Sequence, residues 1–283
     1  MTSSAKPGTL RVVATPIGNL GDLSPRAVEA LREAEAVVAE DTRRTRKLLA
    51  RLGLSRPLLS AHRFSEARRT GELVARLERG ENLALVTDGG TPGISDPGAR
   101  LVAAAAAAGC RVEPIPGPSA VTAALSASGF SADRFLFAGF LPSKRAARRR
   151  ALRDLARFPD TIVLYEAPHR IVEALGDAAE ILGARPACLG RELTKLHEEI
   201  LRGSLPELHA ALEARGRIRG EFVLVVGPAA GGDSPPADPE LVTSLREALE
   251  HEEDDLGRAV ARLARRLGAT RAEVRRRLRA LFE

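Results

Sequence analysis

Short apolar runs alternate with helix-patterned segments along most of this chain, and loops dense in glycine and proline follow three of the runs. That rhythm constrains the fold more than any other feature. Strands separated by helices build a mostly parallel sheet covered by those helices. Leu10–Ala14, Ala36–Ala39, Leu58–Ser60, Leu83–Thr87 and Arg111–Ile115 read as strands. Pro25–Ala34, Thr42–Leu52, Glu66–Arg79 and Pro97–Ala108 read as helices, the first with Ser24 as N-cap and Pro25 in its opening turn. Pro114, Pro116, Gly117 and Pro118 then crowd a stretch that no helix interior tolerates, so a domain boundary is expected after Ile115. The second half repeats the pattern: helix Ser119–Ala127, strand Phe135–Gly139, helix Lys144–Phe158, strand Thr161–Tyr165 and helix Pro168–Leu182. Strands near Ala187–Gly190 and Leu196–Arg202, a helix Pro206–Arg215 and a strand Glu221–Val226 follow. The expected organisation is a flexible N-terminus (1–9), an α/β domain (10–115), a second α/β domain (116–230), a Gly/Pro/Asp linker (231–239) and a helical tail (240–283). Two tail helices flank the turn Gly268–Thr270 and resemble a helix-turn-helix, a shape that packs against proteins as readily as against nucleic acid.

Charge and composition narrow the partners. Lys and Arg number 43 against 37 Asp and Glu, a net charge of +6, and only four of the cations are lysines. The balance admits a polyanionic partner without requiring one. Aromatic residues are 3%, with no Trp and Tyr165 as the sole Tyr, which argues against a reader that stacks bases on aromatic platforms. Cys110 and Cys188 are far apart and have no metal-ligand spacing, so two buried thiols in a reducing cytosol are expected. Met1–Thr9 lacks the apolar core of a signal peptide, and no run reaches the ~18 apolar residues of a membrane span. A soluble, cytoplasmic protein with no metal is the expectation.

The three loops carry the chemistry. Thr15–Asp22 follows the first strand, Asp88–Gly98 follows Leu83–Thr87, and Pro116–Ala120 follows Arg111–Ile115. In open α/β sheets ligands bind beyond the carboxyl ends of strands, where glycine lets backbone approach a ligand. Any one loop is equally a plain turn; three at strand ends are less easily so. The P-loop signature is absent, and Pro16 stands in the first turn where a dinucleotide fingerprint needs glycine.

The segments VATPIGNLGDLSPRA, AEDTRRT, TDGGTPGISDPG, PIPGPSA, GFLP, YEAPHR, RELTK and GEFVLVV run in order from Val13 to Val226. Together they resemble the tetrapyrrole methylase superfamily, and most closely its small-subunit ribosomal RNA methyltransferase I family. The resemblance implies two α/β domains of the class III methyltransferase type with S-adenosylmethionine in the cleft between them, in a homodimer. It implies 2′-O-methylation of a cytidine in the decoding centre of 16S rRNA. It also implies a cofactor pocket made by Pro16, Ile17, Gly18, Asp88, Thr91, Pro92, Gly93, Ile94, Ser119, Ala120, Tyr165, Ala167 and Gly220. Two other readings stay open, a methyltransferase of a tetrapyrrole precursor and a non-catalytic nucleic-acid binder that senses a ligand.

Methyl transfer from a sulfonium needs alignment, exclusion of water and removal of one proton, with no metal. Glu40, Asp41, Glu166, Glu192 and Lys195 are the candidate groups, and nothing in the sequence selects among them. Glu40, Asp41 and Glu192 serve equally as structural ion pairs with neighbouring arginines. For RNA phosphates the candidates are Arg43 and Arg44 on the first basic helix, then Lys144, Arg145, Arg148, Arg149 and Arg150 on the second, and Arg275 and Arg276 in the tail. The stretch 144–153 holds no carboxylate and is the strongest of these, although a single charge run is commonly a solvated face.

Overall fold

A computed structural model describes residues 6–61, 66–229 and 270. Its first layer is an all-parallel sheet of β1 (Thr9–Val13), β2 (Ala36–Ala39), β3 (Leu58–Ser60), β4 (Leu83–Val86) and β5 (Arg111–Ile115), in the order β3-β2-β4-β1-β5. Parallel strands buried on both faces read as continuous apolar runs. β2 and β4 are buried at every position.

Side chains alternate between the two faces. On one face Val37, Ala39, Ala84 and Val86 pack with α1 (Pro25–Glu33) and α2 (Thr42–Arg51). On the other, Val38, Leu83 and Leu85 pack with Leu73 and Leu77 of α3 (Glu66–Glu78) and Leu101 and Ala105 of α4 (Ala99–Ala107). Ser24 caps α1 as the sequence predicts, its Oγ accepting the Ala27 N–H at 3.1 Å.

This order creates a crevice. β1 and β4 are neighbours, yet the chain leaves β1 toward the α1 face and leaves β4 toward the α4 face. Ligands bind where loops diverge in this way.

The second sheet holds β6 (Phe135–Phe140), β7 (Thr161–Glu166), β8 (Pro186–Arg191), β9 (Glu199–Ser204) and β10 (Phe222–Val226), in the order β6-β7-β10-β8-β9. Only β6 and β7 are parallel; β10 runs antiparallel to both β7 and β8. One face carries α6 (Arg145–Leu155), α7 (Ile171–Leu182) and α8 (Leu205–Glu213). The other carries α5 (Ala120–Ser128), and Ile17 from the β1–α1 loop packs into that same cluster. A first-sheet loop is therefore part of the second sheet's core.

Several boundaries differ from the sequence reading. α4 begins at Ala99 because Gly98 sits at φ 131°, outside helical space. α7 begins at Ile171, so Pro168–Arg170 is a turn. Gly8 and Thr9, expected in a flexible terminus, are tied down: the Gly8 N–H donates to Leu77 O at 2.8 Å and the Thr9 N–H to Asn82 Oδ1 at 2.9 Å. The chain divides into compact units at 1–227 and 228–283. The expected linker and helix-turn-helix tail, with Arg275 and Arg276, lie outside the described residues. Both cysteines are free and buried, and no described helix is long and apolar enough to cross a membrane.

Candidate active site

The loops after β1, β4 and β5 meet the second sheet around a cavity of about 620 Å³, within the ~300–1,000 Å³ usual for ligand pockets. Hydrogen bonds stitch the loops together. Thr15 and Gly90 exchange backbone bonds at 2.9 Å each, Thr15 Oγ1 donates to Thr87 O at 3.1 Å, and Thr91 Oγ1 donates to Pro118 O at 3.3 Å. The opposite wall comes from Phe140, Tyr165, Lys195 and Glu221–Val223. Gly18 explains how closely the halves approach. A Cβ there would lie 2.3 Å from Lys195 Cγ and 3.0 Å from Thr194 Oγ1.

Pro16, Ile17, Gly18, Asp88, Thr91, Ile94, Ser119, Ala120 and Tyr165 lie on the cavity wall, as do Lys195 and Arg44. Pro92, Gly93, Ala167 and Gly220 do not. Pro92 is buried and the Gly93 N–H turns back to Pro97 O, so both shape the loop from behind. Gly220, at φ 97°, packs on the Glu192 side chain. Ala167 presents its N–H to Glu166 Oε1 at 2.9 Å.

The proposed proton acceptors fare differently. Asp41 caps α2 and pairs with Arg43 at 2.8 Å; that side-chain bond holds its carboxyl down at about 2. Glu166 is buried behind the wall against Arg170, and burial raises its pKa. Burial opposes charge on Glu192, yet the Lys195 ammonium at 2.8 Å still draws the carboxyl below its usual range. Lys195 lies between Glu192 and Glu221 and, despite burial, is held above its ordinary value, so it remains charged. A charged ammonium is no base.

The second basic helix needs a correction. Within 144–153 there is no acid, but α7 supplies three. Arg148 is 1% exposed and donates to Asp177 Oδ2 at 2.8 Å and Glu173 Oε2 at 3.1 Å. Arg149 and Arg145 also reach Asp177, and Arg149 reaches Glu180. Arg148 is thus an internal ion partner and not a phosphate contact, because it packs between α6 and α7. Lys144, Arg150 and Arg153 point outward and carry no ion pair among the described residues.

Sequence reasoning gave no role to Asp96, Thr87 or Phe140, all on the wall. Phe140 is 54% exposed and meets Tyr165 edge-on at 5.5 Å. Asp96 lies two residues before Gly98 in a Ser-Asp-Pro-Gly stretch that reads as a turn. Desolvation, then Glu40 and Asp88, lift its pKa to about 6, against a hydrogen bond from Thr87. Burial, with Asp96 nearby, pushes the Tyr165 phenol to about 12. Arg44, Lys47 and Arg51 also line the cavity, spaced i, i+3, i+7 on one face of α2. That spacing was the signal available in the sequence.

A two-sheet fold with a loop-built cleft at a strand-order switch defines a class of ligand-binding α/β enzymes. The tetrapyrrole (corrin/porphyrin) methylase family model matches residues 9–209, and the chain belongs to that family. It is similar to ribosomal RNA small subunit methyltransferase I of Xylella fastidiosa, 54% identical over 81% of this chain and 84% of that one. The protein of the same name from Pseudomonas aeruginosa is 46% identical over 86% of each chain. Among solved structures, uroporphyrin-III-C-methyltransferase from Thermus thermophilus shares the fold, with a TM-score of 0.53, 22% identity, and coverage of 79% and 94%. S-adenosylmethionine is the family's cofactor. The cavity suits it: backbone left bare at Gly89 and Gly90, apolar Ile17 and Ala120, and the Asp88 carboxylate on the wall for a cationic guest.

Proposed function

We propose that this protein is an S-adenosylmethionine-dependent methyltransferase that methylates the 2′-hydroxyl of a cytidine in the decoding centre of 16S rRNA, acting as a cytoplasmic homodimer on a small-subunit particle. The observation that carries the reading is one cavity with two kinds of wall. Loops from three parallel strands form a pocket of ligand size, and the α2 stripe of Arg44, Lys47 and Arg51 borders it for about 10 Å, at ~1.5 Å of rise per residue. The names of the relatives point the same way.

In this reading Pro16–Gly18, Thr91, Ser119, Ala120 and Tyr165 hold the cofactor, while Asp88, Pro92 and Gly93 set the loop that does so. When bound, the cofactor supplies an electrophilic methyl on a cationic leaving group. The chain's own work is orientation and exclusion of water. The apolar wall of Ile17, Ala120 and Val223 sheds water from the reacting centre, and the fixed loops set the line of attack. The α2 cations and outward-facing Lys144, Arg150 and Arg153 bind phosphates, a salt-sensitive term that carries no sequence information. A tetrapyrrole precursor needs no such stripe. The test offers purified protein and S-adenosylmethionine to undermethylated small-subunit particles and, separately, to a porphyrinogen. Ribose methylation at one cytidine, mapped by resistance to alkaline cleavage, is expected; methylation of the porphyrinogen alone rejects the reading.

A further inference from the structure

We propose that Asp96 is the proton acceptor for the attacking hydroxyl, with the Thr87 hydroxyl shared between it and Glu40. The inference rests on the methyltransferase reading above and names the group that the reading lacks.

Among the described residues, the acids that line the cavity are Asp88, Asp96 and Glu221. Glu221 is bound to Lys195 at 2.9 Å. Asp88 is spoken for on both oxygens: Oδ1 accepts the Asp41 N–H at 3.1 Å, and Oδ2 faces Arg44 at 3.4 Å. Asp96 has no such commitment. The charges that bear on it are the acids Glu40, at the end of β2, and Asp88, after β4; the Tyr165 phenol of β7 also faces it. The Thr87 side chain lies beside it and opposes the rise of its pKa.

Thr87 makes the arrangement informative. Its Oγ1 donates to Glu40 Oε2 at 2.9 Å. A hydroxyl has a single proton, so it cannot serve both carboxylates as donor. That proton is shared, and its donation to Glu40 leaves the Asp96 carboxylate without a dedicated donor. A cavity carboxylate without a dedicated donor or cation is placed to take a proton from substrate. In the reaction, the acceptor oxygen bonds the methyl carbon as the carbon–sulfur bond breaks, the electron pair of that bond leaves on sulfur, and the hydroxyl proton passes to an Asp96 carboxylate oxygen. No oxidant, metal or further reactant is needed.

The test uses the full chain, S-adenosylmethionine and undermethylated small-subunit particles. Single-turnover rates and cofactor Kd are measured from about pH 5 to about pH 8, a range that spans the titration of a base poised near neutrality. The wild-type rate should rise through an inflection near 6. Asp96→Asn should slow the reaction by ~10²–10⁴-fold, the usual worth of a positioned base, and abolish the inflection with cofactor Kd changed by less than about 2-fold. Asp96→Glu should recover part of both rate and inflection. Thr87→Val, which removes a bond that lowers the Asp96 pKa, should move the inflection upward. Loss of cofactor affinity in step with rate in Asp96→Asn, or a rate within about 10-fold of wild type, overturns the proposal. A wild type that leaves the particles unmethylated rejects the parent reading and the inference with it; an active wild type beside an active Asp96→Asn rejects the inference alone.

Discussion

Removing Asp177 should unfasten α6 from α7. Its carboxylate is 3% exposed and accepts from Arg145 at 3.3 Å and from Arg148 and Arg149 at 2.8 Å each. Asp177→Ala leaves the Arg148 guanidinium buried, with Glu173 as its remaining partner on the solvent side. Stranding one member of a buried pair costs about 3–5 kcal/mol. Because Glu173 survives, about 3 kcal/mol is expected here, the low end of that range. The double change Arg148→Met with Asp177→Leu removes both charges and fills the volume, and should fall within about 1 kcal/mol of wild type. Urea unfolding followed by far-ultraviolet circular dichroism measures this, since the chain has no Trp and its one Tyr lies in the site. The denaturant slope should not change. Burial opposes ionisation of Asp177, but its arginines prevail and lower its pKa. The stability it confers is therefore present above the ordinary carboxylate value and lost as pH falls through the depressed one. A cost below about 1 kcal/mol for Asp177→Ala, or a double variant as unstable as the single, refutes the reasoning.

Other outcomes are expected by the same logic. Asp96→Asn should stabilise the fold above pH 6. The wild-type carboxyl, raised to about 6 in the folded chain, makes its favourable contribution at acid pH and loses it as pH rises from the unfolded value through that range. After discounting for its partial exposure the gain is about 1 kcal/mol, read as a higher Tm. Gly98→Ala places a Cβ 2.9 Å from Leu85 Cδ2 at φ 131°, so a cost of about 1–3 kcal/mol and weaker cofactor binding by calorimetry are expected. Arg150→Gln with Arg153→Gln should reduce the slope of log affinity for small-subunit particles against log salt by about 1 for each phosphate no longer neutralised, with cofactor affinity unchanged.

Local chemistry made much of this legible. Ser24 and Pro25 announce α1, and the apolar runs announce the parallel sheet, because caps and strand cores are written in adjacent residues. The loops that hold Pro16–Gly18, Thr91, Ser119 and Ala120 are legible because ligand loops follow strands, and the family resemblance picks out the residues within them. What escaped depends on distant partners. Arg148 looks like a solvated cation until Asp177, on the next helix, is packed against it. The antiparallel insertion of β10 between β7 and β8 needs a strand from the end of the domain to pair in its middle. Asp96 sits in a turn-forming tetrapeptide, and only the neighbours brought by β2, β4 and β7 set it apart.

Those neighbours explain why the crevice needs both sheets. The switch between β1 and β4 opens a gap in the first sheet but supplies mostly backbone, hydroxyls and acids. The second sheet brings the apolar and aromatic counterpart, Tyr165, Phe140 and Val223, together with the Lys195 cation. Ile17 joins the second sheet's core and Gly18 abuts Lys195 and Thr194, so the β1 loop is fixed by contacts that only the assembled molecule provides. Asp88 and Asp96 lie on the first-sheet side, as does the cationic stripe of α2. A polyanion drawn along that stripe is led past Asp88 and Asp96, where its own charge would be repelled unless a neutral part of it enters the cavity. Under the proposed function, a ribose hydroxyl meets that condition and a phosphate does not. In that reading, the electrostatics that attract a polyanion also sort which of its atoms reaches the cavity.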